Sequence, residues 1–289
     1  MYTIAGVTGR VGGAAADRLL EAGAQLRVLV RDASKGEPWR ARGAQVAVLD
    51  LADREGLRAA LRDADGCFLL LPFDPLDPDP ASAAARLTAS IAGAVADSRV
   101  PHVVMLSSGG ADLSAGTGPI VGLHQLEQAL RATGTTLTAL RSGHFQEKVT
   151  DLLDPIDRSG LYPVFAASAN VPTPMVATRD VGHVAAEALL APPRASETVD
   201  VLGPQYTERE VATLLGSMRG RDLDVVKLPR DAWVGALVDA GLPRPAAQSL
   251  AELYAASEDG LLSPRGDRTV RGSTRLDTTL SGLLGAGVP

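Results

Sequence analysis

The residues TIAGVTGRVGG, positions 3–13, decide how the rest of the chain is read. Gly6, Gly9 and Gly12 stand at even spacing within them. They follow a short apolar run, YTIAGV, and open a helical pattern, VGGAAADRLLEAG, that Gly23 ends. A glycine turn between a strand and a helix is the context in which this spacing has chemical meaning. Glycine at the first position can take backbone angles closed to other residues. At the second it lets a pyrophosphate approach the backbone, and at the third it lets helix and strand pack closely. The N–H groups at the helix start then face the phosphates, and the helix dipole adds attraction. The stretch is read as a phosphate-holding loop.

Outward from this loop, apolar runs alternate with helical patterns. QLRVLV, AQVAVLD, GCFLLLP, HVVMLSS and TLTALRSG read as strands; DREGLRAALRDA, PASAAARLTASIAGAVADSRV and IVGLHQLEQALRATG read as helices. Strands that are continuous apolar runs are buried on both faces, and their alternation with helices builds βαβ units. The expected class is α/β, a Rossmann-like doubly wound parallel sheet with a smaller, mostly helical substrate-side domain. The sheet domain is placed at residues 1–145 plus about 175–204, and the cap at about 146–174 and 205–289. Residues 145–180 read as irregular, with prolines at 155, 163, 172 and 174. RDVGHVAAEALLA resumes a helix, ETVDVLG is a late strand, and TEREVATLLGSM opens with a capping box of Thr207 and Glu210.

Composition narrows the function classes. Of 289 residues, 45% are hydrophobic and 3% aromatic, and the net charge is −6. An acidic chain lacks the basic face of a nucleic-acid binder. The single cysteine, Cys67, excludes an internal disulfide framework and a cysteine-based zinc site. No apolar run reaches the roughly 18 residues of a membrane span, and Gly6, Arg10 and Gly12 interrupt any leader-like segment. The expectation is a soluble cytoplasmic protein that acts on a small molecule, with no metal and no membrane partner. Its oligomeric state is left open.

The end of the second strand bears on which dinucleotide is held. An NAD site usually places an acidic residue there for the ribose 2′-hydroxyl. Here VLVRD puts Arg31 first after the strand and Asp32 second. A guanidinium pairs with a 2′-phosphate, which a carboxylate repels. Arg10, inside the glycine loop, offers a second cation. NADP(H) is therefore favoured, and Asp32 leaves NAD open by a small shift of register.

These residues carry a family likeness. Through GVTGRVGG, LVRD, VLDLAD, VPHVVMLSS, LRSGHF, RDVGHVAAEAL and STRLDTTLSGLL, the chain resembles the NmrA-like group of atypical short-chain dehydrogenase/reductases. Within that group it is most similar to bacterial triphenylmethane-dye and quinone reductases. The resemblance implies a Rossmann domain with a discontinuous substrate-side domain, NADP(H) binding, and either reductase activity or regulatory sensing. It also implies cofactor-binding positions. Gly6, Thr8, Gly9, Arg10, Val11 and Gly12 match the phosphate loop, and Arg31 the 2′-phosphate position. Asp50 and Leu51 border the adenine, and Leu71 and Pro72 lie where a loop passes over the ribose and pyrophosphate. Ser107 and Ser108 close the fifth strand; Gly143, His144 and Phe145 line the nicotinamide end.

The chain departs from the wider superfamily at its proton donor. Ordinary short-chain reductases carry a Tyr and a Lys one turn apart on the helix after the fifth strand. The matching stretch here is VGLHQLEQ; no Tyr lies between residues 72 and 162 and no Lys between 35 and 148. That dyad is excluded. His124, with Glu127 on the next turn, is one candidate acid, and His144 after the sixth strand is the other. His102 and His183 read as structural, and Cys67 has no redox role. PFDPLDPDPAS, with Asp74, Asp77 and Asp79, reads as a rigid turn with Asp or Ser82 capping the next helix and as a rim or lid over the site, not as a metal loop. Two classes stay open. One is an NADP-dependent oxidoreductase reducing a conjugated, electron-poor quinone, dye or imine. The other is a non-catalytic NADP(H) sensor acting through a protein partner. The enzyme is preferred.

Overall fold

A computed structural model describes residues 1–285, with 154 and 155 described by backbone only. The first half alternates without exception: β1 (Tyr2–Ile4), α1 (Arg10–Glu21), β2 (Leu26–Val30), α2 (Ala33–Arg40), β3 (Gln45–Val48), α3 (Arg54–Leu61), β4 (Gly66–Leu69), α4 (Pro80–Ser98), β5 (His102–Ser108), α5 (Ile120–Ala132) and β6 (Thr136–Ser142). Next come β7 (His144–Phe145), a 3-10 turn, α6 (Leu153–Ser159), β8 (Leu161–Val164) and β9 (Thr173–Val176). The chain returns to the main body as α7 (Thr178–Leu190) and β10 (Glu197–Leu202). It ends with β11 (Gln205–Tyr206), α8 (Glu208–Arg219), β12 (Asp224–Lys227), α9 (Trp233–Asp239), α10 (Arg244–Glu258), β13 (Arg268–Arg271) and α11 (Leu276–Gly285).

Eight strands form one sheet in the order β13-β10-β6-β5-β4-β1-β2-β3. Every pairing within it is parallel. The chain winds outward from β1 to β3, then restarts at β4 on the other side of β1. Such a switch point opens a crevice at the carboxyl edge of the strands, where doubly wound folds take their ligands. Both faces of the sheet are covered. On one side α1 and α7 enclose Ile4, Val28, Phe68 and Val199; on the other α3, α4 and α5 enclose Leu29, Leu69, Met105 and Ala139. Fully covered strands are the structural cause of the continuous apolar runs in the sequence.

The cap has a core of its own, built from Val149, Leu153, Ile156, Tyr162, Val164, Val211, Leu215 and Leu280. The stretch expected to be irregular after Gly143 is in fact ordered: β7 and β9 join β11 in a small sheet, and β8 pairs with β12. These strands are too short to show any periodicity in sequence. β13 also had no sequence signal, yet it crosses back from the cap side to pair with β10 at the edge of the main sheet. The capping box on α8 is present: the Thr207 hydroxyl accepts from the Glu210 N–H, and the Glu210 carboxylate accepts from the Thr207 N–H at 2.7 Å. Among the described residues no helix is long and apolar enough to cross a membrane.

Candidate functional site

The crevice begins at the glycine turn. Gly6 sits at φ +68°, and an added Cβ would lie 2.4 Å from Leu70 Cδ2 across the switch point. The turn is closed by the Gly9 N–H donating to the Gly6 carbonyl at 2.9 Å. Gly9 is the N-cap of α1 and has no side chain to offer, so no side chain caps this helix. A Cβ on Gly12 would lie 2.4 Å from the Gly6 carbonyl oxygen, which shows how tightly the helix start is drawn onto the turn. Thr8, Gly9 and Arg10 are exposed, whereas Val11 and Gly12 are buried and contribute backbone only. The result is a cradle of backbone donors at the positive end of a helix, with no side-chain acceptor on its cap among the described residues. It fits a pyrophosphate.

At the neighbouring strand end, Arg31 is exposed and Asp32 is committed elsewhere. Asp32 is the N-cap of α2, its Oδ1 accepting from the Ser34 N–H at 2.8 Å. Hydrogen bonds from Ser34, with Lys35 nearby, hold its carboxyl below the usual carboxylate range. The acidic group that would suit a ribose hydroxyl is therefore turned to its own helix, and a guanidinium is left facing outward. Asp50 likewise accepts from the Ala52 N–H at 2.8 Å, with Leu51 half-buried beside it. Past β4, Leu71 is half-buried and Pro72 exposed. The following loop carries exposed Phe73 and Leu76. Its aspartates bond local backbone: Asp74 accepts from Leu76, Asp77 from Asp79, and Asp79 caps α4 through the Ser82 N–H.

Around β5 and β6 the structure differs from the sequence reading in two respects. Ser107 is buried, and its hydroxyl donates to Glu127 Oε1 at 2.6 Å. Glu127, one turn on from His124 along α5, is the centre of a buried network, accepting from Arg141 Nε at 3.0 Å and Nη2 at 2.8 Å. Arg141 also reaches Asp112, which takes a 2.9 Å bond from Arg265 of the C-terminal segment. This chain of charges ties β5, α5, β6 and the cap together. A buried pair like this is retained only with its partners intact, since removing one leaves an uncompensated charge. Ser108 is half-buried. His124 Nδ1 lies 2.9 Å from the Ala111 carbonyl oxygen. A carbonyl can only accept, so Nδ1 carries the proton and Nε2 is the nitrogen left for other chemistry.

Gly143 joins the edge of the main sheet, donating to the Val201 carbonyl at 2.9 Å, and Phe145 is half-buried next to it. His144 keeps exposed surface, yet desolvation is the main cause that lowers its pKa, with the Glu208 charge opposing. A recess of about 230 Å³ lies between the phosphate loop and α11, lined by Arg10, Glu147, Arg179, Thr274 and Thr279 among others. Glu147 there caps α7, accepting from the Thr178 N–H and hydroxyl. The structure thus gathers the glycine loop, Arg31, Asp50, Leu71, Pro72, Ser108, His124 and His144 along one edge of the sheet. It turns the Ser107 side chain away. His102 and Cys67 are buried in the sheet, where burial raises the thiol pKa. The Glu127–Arg141 pair went unread, although an arginine inside the apolar strand TLTALRS was its signal.

A doubly wound sheet with a capless glycine turn at its switch point defines a Rossmann-like nucleotide-binding fold. Residues 2–277 match the NmrA-like family, and the chain belongs to it. It is 31% identical over 258 residues to the NAD(P)H azoreductase of Xenophilus azovorans, covering 88% of this chain and 86% of that one. It is 32% identical over 253 residues to the (4-alkanoyl-5-oxo-2,5-dihydrofuran-3-yl)methyl phosphate reductase of Streptomyces griseus, covering 86% and 84%. Among solved structures it resembles the triphenylmethane reductase of Citrobacter sp. complexed with NADP(H), at TM-score 0.75 and 22% identity, covering 100% of this chain and 96% of that one.

Proposed function

We propose that the protein is an NADPH-dependent reductase of a small conjugated, electron-poor acceptor such as a quinone, a dye or an imine. The observation that carries this reading is the pairing of a phosphate cradle at Gly6–Gly9–Gly12 with an exposed guanidinium at Arg31, while Asp32 is held by its own helix. Two of the similar curated proteins are named reductases, one of them for NAD(P)H, which supports the cofactor and the class. In this reading Thr8 to Gly12 hold the pyrophosphate, with Arg10 beside it. Arg31 takes the 2′-phosphate, Asp50 and Leu51 border the adenine, Leu71 and Pro72 pass over the ribose, and Ser108, Gly143, His144 and Phe145 line the nicotinamide end. Ser107 contributes through backbone alone. The cap, residues 146–174 and 205–285 apart from β13, closes over the acceptor.

The bound cofactor supplies the hydride. The protein binds, orients and excludes water. An acceptor that spreads incoming charge over a conjugated system does not require a strong acid. We therefore expect His124→Ala and His144→Ala to keep turnover within about tenfold, below the 10²–10⁴-fold that general-acid catalysis typically contributes. A larger loss at either, with the alkaline limb of the pH profile removed, assigns that histidine as the acid. The deciding experiment is loss of NADPH absorbance across quinones, triphenylmethane dyes, azo dyes and cyclic imines. Turnover of one class establishes the reductase. Tight NADPH binding with no turnover of any member overturns it in favour of a sensor.

A further inference from the structure

Two arginines without acidic partners converge on one recess. The concavity of about 230 Å³ between the phosphate loop and α11 is lined by Arg10 on the loop side and by Arg179 on α7. Both are exposed, and among the described residues neither forms an ion pair. Elsewhere Arg141, Arg265 and Arg268 each hold a carboxylate. In a chain of net charge −6, two unneutralised guanidinium groups on one concave surface leave an excess of positive charge there.

The acidic groups nearby are already spent. Glu147, buried in the wall, accepts from the Thr178 N–H at 2.9 and 3.1 Å and from the Thr178 hydroxyl at 2.6 Å, so its charge meets the positive end of α7. Asp180 accepts from the Thr274 N–H at 2.9 Å and the Thr274 hydroxyl at 2.6 Å. Asp277 accepts from Arg275 at 3.1 Å and from the Thr278 N–H at 2.7 Å. The start of α1, by contrast, has no side-chain cap. It lies against the first turns of α7, where a Cβ on Gly182 would meet the Val11 carbonyl oxygen at 2.7 Å and the Ala15 nitrogen at 2.9 Å. Helix end and guanidinium groups therefore act on an anion in the same sense.

The walls of the recess are tied together, and they are not those of the cofactor cleft. The Thr274 hydroxyl accepts from Arg179 Nη2 at 3.0 Å. That bond anchors one edge of the guanidinium and leaves its other N–H groups without a protein partner among the described residues. Gln146 joins Thr274 to α11: its Nε2 donates to the Thr274 carbonyl at 2.9 Å, and its Oε1 accepts from the Thr279 hydroxyl. Of the positions assigned to the cofactor, only Arg10 lines the recess.

We propose that this recess is an oxyanion site separate from the cofactor's phosphates, in which Arg179, with Arg10 on the loop side, pairs with a sulfonate, carboxylate or phosphate group. The planar fork of a guanidinium suits such a group. The anion is a substituent of the acceptor or a free ion. Only the first source rests on the reductase reading; the binding itself does not.

The test is calorimetric titration of the protein saturated with NADP⁺, using naphthalene-2-sulfonate, its uncharged counterpart naphthalene-2-sulfonamide, and inorganic phosphate. We expect the sulfonate to bind at least about tenfold tighter than the sulfonamide, the contribution of a charge-assisted contact. Arg179→Ala should erase that preference while keeping NADP⁺ affinity within about twofold, and Arg179→Lys should restore part of it. Arg244→Ala, which removes an exposed cation from α10, should leave the preference intact. Phosphate that displaces the sulfonate and binds as tightly supports a free ion as occupant; weaker displacement supports an anionic acceptor. Equal affinity for sulfonate and sulfonamide, or a preference that survives Arg179→Ala, overturns the proposal. So does an Arg179→Ala protein that loses NADP⁺ as steeply as the sulfonate, because the recess then belongs to the cofactor. Turnover is read separately with 1,4-naphthoquinone and its 2-sulfonate. A chain that binds anions through Arg179 but oxidises no NADPH with any acceptor sinks the reductase reading and leaves this site standing.

Discussion

Along the crevice, the wall formed by β1, β2 and their loops is made of backbone, while the wall formed by the cap is made of side chains. The first holds its shape because a glycine turn touches a helix start, with the Gly12 Cβ position 2.4 Å from the Gly6 carbonyl oxygen. The cap holds its own shape through aromatic contacts among Phe165, Trp233 and Tyr254, with ring centroids 4.9 to 6.5 Å apart, and through ion pairs such as Arg230 with Glu258 and Asp259. A backbone wall is indifferent to most substitutions but has no tolerance at the few positions where a Cβ meets a carbonyl. A side-chain wall can be altered one residue at a time. Recognition of the invariant part of a ligand belongs on the first, and recognition of the variable part on the second.

The largest effect is expected where the backbone wall is tightest. Gly12→Val drives a side chain into the Gly6 carbonyl and should destabilise the chain by about 3 kcal/mol through overpacking. It should also abolish measurable NADPH binding. A Gly12→Val protein with an ordinary denaturation midpoint would break the contrast between the walls.

Next comes a test of the sheet away from either wall. His102 at the start of β5 is buried, with Nε2 on the Thr138 hydroxyl and Nδ1 unpartnered, and burial pushes its pKa down from 6.5 to about 4. The folded state thus resists a proton that the unfolded chain accepts. Stability from this group is complete above about pH 6.5 and is lost as pH falls toward 4, by about 3 kcal/mol in all. His102→Gln should flatten that limb of the curve of unfolding free energy against pH. Equal acid sensitivity in the two proteins would remove His102 as its source.

A smaller effect separates the cofactors. Arg31→Ala should cost NADPH about 1.5–3 kcal/mol of binding, as loss of a charge-assisted contact does, and spare NADH. Equal affinity of the unaltered protein for both, in calorimetric titration, refutes the assignment of Arg31. Smallest of all is Thr207→Ala, which removes the cap of α8 and should cost about 1 kcal/mol. Its thermal midpoint should fall while NADPH affinity holds, because the capping box is remote from the backbone wall.

What could be read from the residues follows the same physics. The strands β1, β2, β4, β5 and β6 are largely buried, so each announces itself as an apolar run, and the glycine turn announces itself by its place between strand and helix. Arg31 and Asp32 adjoin in sequence, and only the Ser34 bond to Asp32 separates their roles. The Glu127–Arg141 pair was visible as two charges in apolar segments, but their meeting depends on α5 folding back along β5 and β6. The cap's aromatic cluster was hidden for a stronger reason: Phe165 follows β8, while Trp233 and Tyr254 lie on α9 and α10, and the three share no periodicity. β13 reads as RTVR, a charged edge strand that only its pairing with β10 reveals.

That last strand has a consequence for how the molecule is made. β10 is flanked by β6 on one side, and its other edge is closed by β13 through the register Val199↔Arg268 to Leu202↔Arg271. The closure is latched by the Thr198 N–H to Asp267, the Gly266 N–H to Asp200, and a two-pronged Arg268–Glu197 bridge. A ribosome delivers the N-terminal end first, so β10 emerges well before its outer partner and waits with unpaired N–H and C=O groups while the cap is synthesised. A growing chain therefore carries a sticky edge for the length of the cap, and premature termination anywhere between the two strands leaves that edge permanently open to pairing with another copy.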